Sequence, residues 1–246
     1  MSDLSPKTAL VTEASKGIGR AIALAYAAKG AKVALFTRSE DALKGVAEQI
    51  GDLGCEALSI AADLGDEAEI RRVATAVLDR FDQVDILVNN AGIIHPKIKL
   101  ANFDPDLWRR VIDVNLIGPA ILTKAVLPSM MARGADKIIT VSSIGGRKGS
   151  AGRSTYRATK AALINLTESI AAEGKPYGIN VNCICPGTVD TEGFREAFRG
   201  IGSDANLMRP EEIAEIAVLL ASDASSAITG TAIDAYGASN PLFRSS

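Results

Sequence analysis

The stretch Thr8-Ala9-Leu10-Val11-Thr12-Glu13-Ala14-Ser15-Lys16-Gly17-Ile18-Gly19 decides the fold. Its first five residues form a short apolar run with β-branched members, the signature of a buried strand. The next residues form a polar turn. Gly17 and Gly19 then open an amphipathic run that reads as a helix as far as Lys29, with Gly30 as its stop. A first strand feeding a helix through a glycine turn is half of a βαβ unit.

Outward from that turn the same alternation continues to the end of the chain. Strand-like runs are read at 32–37, 56–62, 84–89, 137–142, 179–185 and 231–234. Helical runs are read at 40–50, 67–81, within 105–132, at 154–173 and at 210–222, the last with Pro210 in its first turn. Strands alternating with helices give an α/β fold: a doubly wound parallel sheet with helices on both faces, joined by right-handed crossovers. No linker, repeat or low-complexity segment divides the chain, so residues 1–246 read as a single domain. The longest irregular stretch, 187–209, is a candidate substrate lid, centred on 188–209.

Composition narrows the partners. The chain has 246 residues, 47% apolar and 23% charged, an ordinary globular balance with enough length for a large core. A net charge of −2 with no basic run argues against nucleic acid. No apolar run is read as long enough for a membrane span, and residues 1–7 lack a signal-peptide apolar segment. Cytoplasmic residence is expected. Cys55, Cys183 and Cys185 suggest free thiols in a reducing compartment. Cys183 and Cys185 lie two apart on one strand and share a face. With His95 as the one histidine, no protein-built metal site is expected.

In open α/β sheets, ligands lie beyond the carboxyl ends of the strands. The turn after the first strand (Thr12, Ser15, Lys16, Gly17, Ile18, Gly19) lets backbone approach a pyrophosphate at the positive end of the next helix. At the end of the second strand an acid would select NAD. Thr37 and Arg38 stand there instead, and a guanidinium suits a 2′-phosphate. With Lys16 nearby, NADP is preferred and NAD remains usable, although both cations also read as solvated surface charges. Asp63 and Leu64 follow the third strand, where Asp63 offers a carboxylate to an adenine amino group. Asn90, Ala91 and Gly92 end the fourth strand and shape the cleft, or simply form an Asx turn.

Tyr156 and Lys160 are four apart on a predicted helix and point the same way. Ser142 and Ser143 end the strand before it. A phenol, a hydroxyl and an ammonium converging on one substrate oxygen are equipment for moving a proton while a hydride moves elsewhere. To work near neutral pH the phenol must fall from ~10, a change of roughly 4 kcal/mol. Lys160 and an oxidised nicotinamide are the two cations expected to achieve it. Asn115 is expected to kink the long fourth helix and hold a water beside Lys160.

Together these motifs resemble the short-chain dehydrogenase/reductase family over almost the whole chain, most nearly its 3-oxoacyl reductases. The nucleotide turn stands as Thr12 to Gly19, the N-N-A-G motif as Asn89 to Gly92, and the P-G motif as Pro186-Gly187. The resemblance implies a Rossmann fold and the catalytic tetrad Asn115, Ser143, Tyr156 and Lys160. The spacing to Tyr156 selects Ser143 rather than Ser142. It also implies cofactor contacts from Tyr156, Lys160, Pro186, Gly187, Val189 and Thr191, with Thr188 on the same wall. A homotetramer or homodimer acting on a small carbonyl or alcohol is implied as well.

The departures are informative. Glu13 replaces a family glycine in the turn, which sets a carboxylate against a 2′-phosphate and strains the backbone if a positive φ is required. Arg195 and Arg199 in the lid are candidates for meeting an anionic substrate, against the commoner reading as solvated charges. Glu13 also motivates an alternative of another class: a nucleotide-sensing or scaffold protein with little turnover. Epimerisation or dehydration in the same site is disfavoured by chain length.

Overall fold

The computed structural model describes residues 3–198 and 207–237. The middle of the expected lid, Arg199 included, lies outside the described residues.

Seven strands form one sheet: β1 (Thr8–Thr12), β2 (Lys32–Thr37), β3 (Ala57–Ala61), β4 (Ile86–Asn89), β5 (Lys137–Val141), β6 (Asn180–Pro186) and β7 (Ala232–Ala235). Their order is β3-β2-β1-β4-β5-β6-β7, and every pairing is parallel. The order reverses between β1 and β4, where two crossovers depart in opposite directions and open a crevice.

Alternation along the strands divides the core in two. Ala9, Val11, Val33 and Leu35 face one cluster, which includes residues of α1 (Gly17–Ala27), α2 (Glu40–Asp52) and α8 (Pro210–Ala221). Leu10, Ala34, Phe36 and Leu87 face the other, with α3 (Glu67–Phe81), α5 (Gly118–Arg133) and the far end of α6 (Ser154–Gly174). Strands buried on both faces explain why these runs are almost uninterruptedly apolar.

The expected fourth helix is a composite. α4 (Pro105–Ile112) runs through a π-helical turn, Asp113–Ile117, into α5. Joined in this way, Pro105–Arg133 is a continuous 29-residue helix with mean hydropathy 1.4 over its most apolar window. By length and composition it can cross a membrane, which corrects the expectation that no run was long enough. Here Leu122, Val126 and Met130 bury its face in the second core. The lid also differs from its reading as wholly irregular: Thr191 caps a short helix, α7 (Glu192–Ala197), and Val189 bridges Met208 in parallel.

Candidate active site

The turn after β1 is fastened to β4. Thr12 Oγ1 accepts the backbone N–H groups of Asn90 and Ala91 at 2.9 and 3.0 Å, and the Asn90 amide donates to Thr12 O at 3.0 Å. Gly17 has φ +52°, a conformation that favours glycine. At Gly19 an added Cβ would lie 2.2 Å from Glu13 O, so the helix can start this close to the turn only without a side chain. Glu13 itself has φ +54°, so the strain considered from the sequence is present.

A cavity of about 430 Å³ opens over this turn. Thr12, Lys16, Gly17, Ile18, Arg38, Asp63, Leu64, Asn90, Ala91, Gly92 and Thr191 line it, as do Glu13, Phe36, Thr37 and Arg110. Ser15 and Gly19 do not reach its wall. Such a cleft, with bare turn backbone at the start of α1, fits a dinucleotide. The side chain of Asp63 is already engaged: Arg110 Nη2 donates to both its oxygens at 2.7 and 2.6 Å, and Gly65 N–H donates at 2.7 Å. Burial pushes its carboxyl up, but the Arg110 and Gly65 hydrogen bonds and the charges of Arg110 and Arg38 outweigh it and hold it below the usual value. An adenine amino group would therefore share Asp63 with Arg110. Nothing local to either residue signalled a pair 47 positions apart.

A second cavity, about 210 Å³, adjoins the first, since Ile18, Ile94 and Thr191 line both. Ser143, Tyr156, Pro186, Gly187, Thr188 and Val189 are on its wall. The two serines have separate work. Ser142 Oγ donates to Lys160 O at 2.6 Å, pinning α6 to the end of β5. Ser143 Oγ accepts Gly145 N–H at 2.9 Å, and Ser143 shares the cavity wall with Tyr156, whose phenol it draws toward the anion.

Lys160 lies behind this wall rather than on it. It is 4% exposed, and its Nζ sits 5.9 Å from the Tyr156 ring centroid, donating to Val141 O at 2.9 Å. Gly92 makes room for the ammonium, since a Cβ there would be 3.2 Å from Nζ. Burial lowers the lysine to about 8, against small opposing effects of Cys183 and Cys185. Those two thiols do share a face, with their sulfurs 3.8 Å apart. Tyr156 departs from expectation. Desolvation raises its phenol, and the lowering influences are Ser143, Arg153 and Arg157, with Lys160 absent among them.

Asn115 sits in the π-helical turn, which re-aims it inward. Its Oδ1 accepts Ile93 N–H at 2.7 Å, and its Nδ2 donates to Ile93 O at 3.2 Å and Thr159 Oγ1 at 3.3 Å. The amide thus clasps the backbone just after Gly92, a role the sequence did not suggest. The sequence also missed Arg153, Phe194 and Phe198 on the second cavity. Arg195, a candidate for an anion contact beside its commoner reading as a solvated charge, is paired with Asp190 at 2.5 and 2.6 Å. Among the described residues no cluster of three or more His, Cys, Asp or Glu is placed to hold a metal.

A reversed parallel sheet with a glycine turn at its switch point defines a dinucleotide-binding α/β protein of the Rossmann class. The short chain dehydrogenase family model matches residues 7–201, and the chain belongs to that family of NAD(P)-dependent oxidoreductases. It is 38% identical to cis-4-hydroxycyclohexanecarboxylate dehydrogenase of Sinomonas cyclohexanicum, covering 94% of this chain and 95% of that one. It is also 38% identical to 3-oxoacyl-(acyl-carrier-protein) reductase of Salmonella typhimurium, covering 94% and 96%. Among solved structures, 3-ketoacyl-(acyl-carrier-protein) reductase from Brucella melitensis complexed with NADH superposes with a TM-score of 0.90, at 33% identity over 96% and 99% of the two chains.

Proposed function

We propose that the protein interconverts a ketone and a secondary alcohol by hydride transfer, with Tyr156 as general acid and base. The observation that carries this reading is the wall shared by Tyr156 and Ser143, in a cavity that adjoins the turn-lined cleft. A nicotinamide cofactor held along the cleft by Gly17, Ile18 and Asn90 would supply the hydride in reduction and accept it in oxidation. Tyr156 gives its phenolic proton to the carbonyl oxygen in reduction and takes one from the alcohol in oxidation. Ser143 donates to the same oxygen as its charge develops. Lys160, buried behind the phenol, spends its ammonium on Val141 O, and the cations of the chain that favour the phenolate are Arg153 and Arg157. Asn115 positions the Gly92-Ile93 backbone along the edge of the cleft.

NADP is the preferred cofactor in this reading and NAD a usable one. Arg38 and Lys16 line the cleft beside Thr37, with cations where an NAD enzyme needs an acid. Glu13 on the same wall opposes a 2′-phosphate and reduces the margin. The names of the relatives support a carbonyl or hydroxyl substrate of moderate size. We further propose that the protein works in the cytoplasm as a homotetramer or homodimer.

The test is NADPH oxidation across a panel of ketones. Turnover is expected to fall by about 10²–10⁴ in Tyr156→Phe, with circular dichroism unchanged. Undiminished turnover in that variant would remove Tyr156 from its role. The strained Glu13 favours one second reading, a nucleotide sensor. It predicts NADPH binding with no ketone turned over.

A further inference from the structure

We propose that Arg153 and Arg157 form a carboxylate-binding subsite of the reacting cavity, so that the substrate is an oxo- or hydroxy-carboxylate. The proposal deepens the reading of Tyr156 as the group at the reacting oxygen and rests on it for where the carbonyl lies.

The two arginines bracket Tyr156, one just before and one inside the first turn of α6, and both line the second cavity. That is the wrong end of a 21-residue helix for cations, since its N-terminus is already positive. They also stand at i and i+4, a like-charge spacing that costs stability by itself. The first turn of α6 contains no acid. Many arginines of the chain pair with carboxylates, as Arg71 with Glu67, Arg147 with Asp234 and Arg195 with Asp190, while Arg20 and Arg72 bond neutral oxygens at more open positions. Among the described residues no carboxylate pairs with Arg153 or Arg157.

Arg153 is also 5% exposed, unusual for a guanidinium without an anion. One terminal nitrogen donates to His95 O, and the plane lies over the Phe198 ring at 4.3 Å. Its Nε is buried with no hydrogen-bond partner, and so are the hydroxyls of Ser154 and Thr155 beside it. Unsatisfied polar atoms are rare in folded proteins, and of these three residues Arg153 is the one on the cavity wall. Arg157 spends one nitrogen on Lys148 O. Each arginine keeps donors for a ligand, and an anion between them would relieve both the helix end and the cation pair. Phe194 stacks on Phe198 at 4.6 Å and gives the cavity an apolar wall for a carbon skeleton. A neutral acyl thioester would leave both guanidiniums unanswered.

The test is calorimetric titration of cyclohexanecarboxylate and cyclohexanecarboxamide into the full chain, with and without NADP⁺. The acid is expected to bind at least about ten-fold more tightly than the amide. Arg153→Met is expected to abolish that preference and Arg153→Lys to keep part of it. Arg157→Gln, at a half-buried position, should weaken acid binding several-fold and serves if Arg153→Met does not fold. Equal affinities for acid and amide, or binding of neither, would overturn the subsite. So would a preference that survives both substitutions. Arginines serving only the phenol predict that equality. The readout needs no turnover, so the two readings fail separately. A chain that prefers the acid yet reduces no ketone defeats the proposed reaction alone. A chain that reduces neutral ketones as well as their carboxylate counterparts defeats the subsite alone.

Discussion

Replacing Lys160 by Met should make the cofactor-free chain more stable while abolishing turnover. Burial brings this lysine from 10.5 to about 8, so the folded chain resists charging it. Between about 8 and 10.5 the unfolded chain binds the extra proton, and stability contributed by this group rises with pH across that window. Below it the full cost is present, roughly 3 kcal/mol. Met has similar length and no charge to desolvate, but it gives up the 2.9 Å bond from the charged Nζ to Val141 O, worth about 2 kcal/mol. The expected net gain is about 1 kcal/mol near pH ~7, shrinking as pH approaches the ordinary lysine value. Urea unfolding followed by circular dichroism, on both proteins across that range, measures it. A variant less stable than wild type near neutrality, or a difference indifferent to pH, would refute the argument that the charge is held against its solvation.

Two further outcomes follow from the same site. Glu13→Gly removes a side chain from a φ of +54° and a carboxylate from the cleft wall. NADPH affinity should rise by about ten-fold, roughly 1.4 kcal/mol, with a smaller gain for NADH; fluorescence titration of both cofactors decides, and an unchanged NADPH affinity defeats this view of the turn. The direction of reaction should also set the pH profile. Desolvation keeps the Tyr156 phenol protonated above its ordinary range, so reduction should be level through neutral pH and decline only in alkali. Oxidation, which needs the phenolate, should climb with pH, and a reduction rate already falling between about pH 6 and 7 would contradict the assignment.

What the sequence disclosed was what spacing can encode. The runs ending at Thr12 and Thr37 carry their own strand signal, and the period-two division of Ala9 and Val11 from Leu10 is written in the order of residues. The Tyr156 and Lys160 pairing is a helical period, so their common face was legible. What stayed hidden depends on elements meeting across the fold. Arg110 reaches Asp63 only because α4 lies over the end of β3. The π-helical turn has no propensity signature; it becomes intelligible once Gly118 is seen to sit where a Cβ would be 2.2 Å from Leu64 O. Arg153 went unread in the sequence because its burial comes from Phe198 and the His95 segment, both remote in sequence.

The electrostatics of the bare chain explain why a cofactor belongs to its chemistry as well as to its fold. Within the protein alone, burial discourages charge on both members of the pair: it raises the phenol and lowers the ammonium. Lys160 faces Val141 O, and the cations that act on Tyr156 are Arg153 and Arg157. A carboxylate held by those arginines would cancel their pull on the phenol, leaving Tyr156 a still better acid-form residue and favouring reduction. A cation entering the adjoining cleft acts in the opposite sense, drawing the phenol toward its anion and favouring oxidation. On the proposed role of Tyr156, the balance between the two directions is therefore set by what the cavities hold, acting on a phenol that burial raises and two built-in arginines lower.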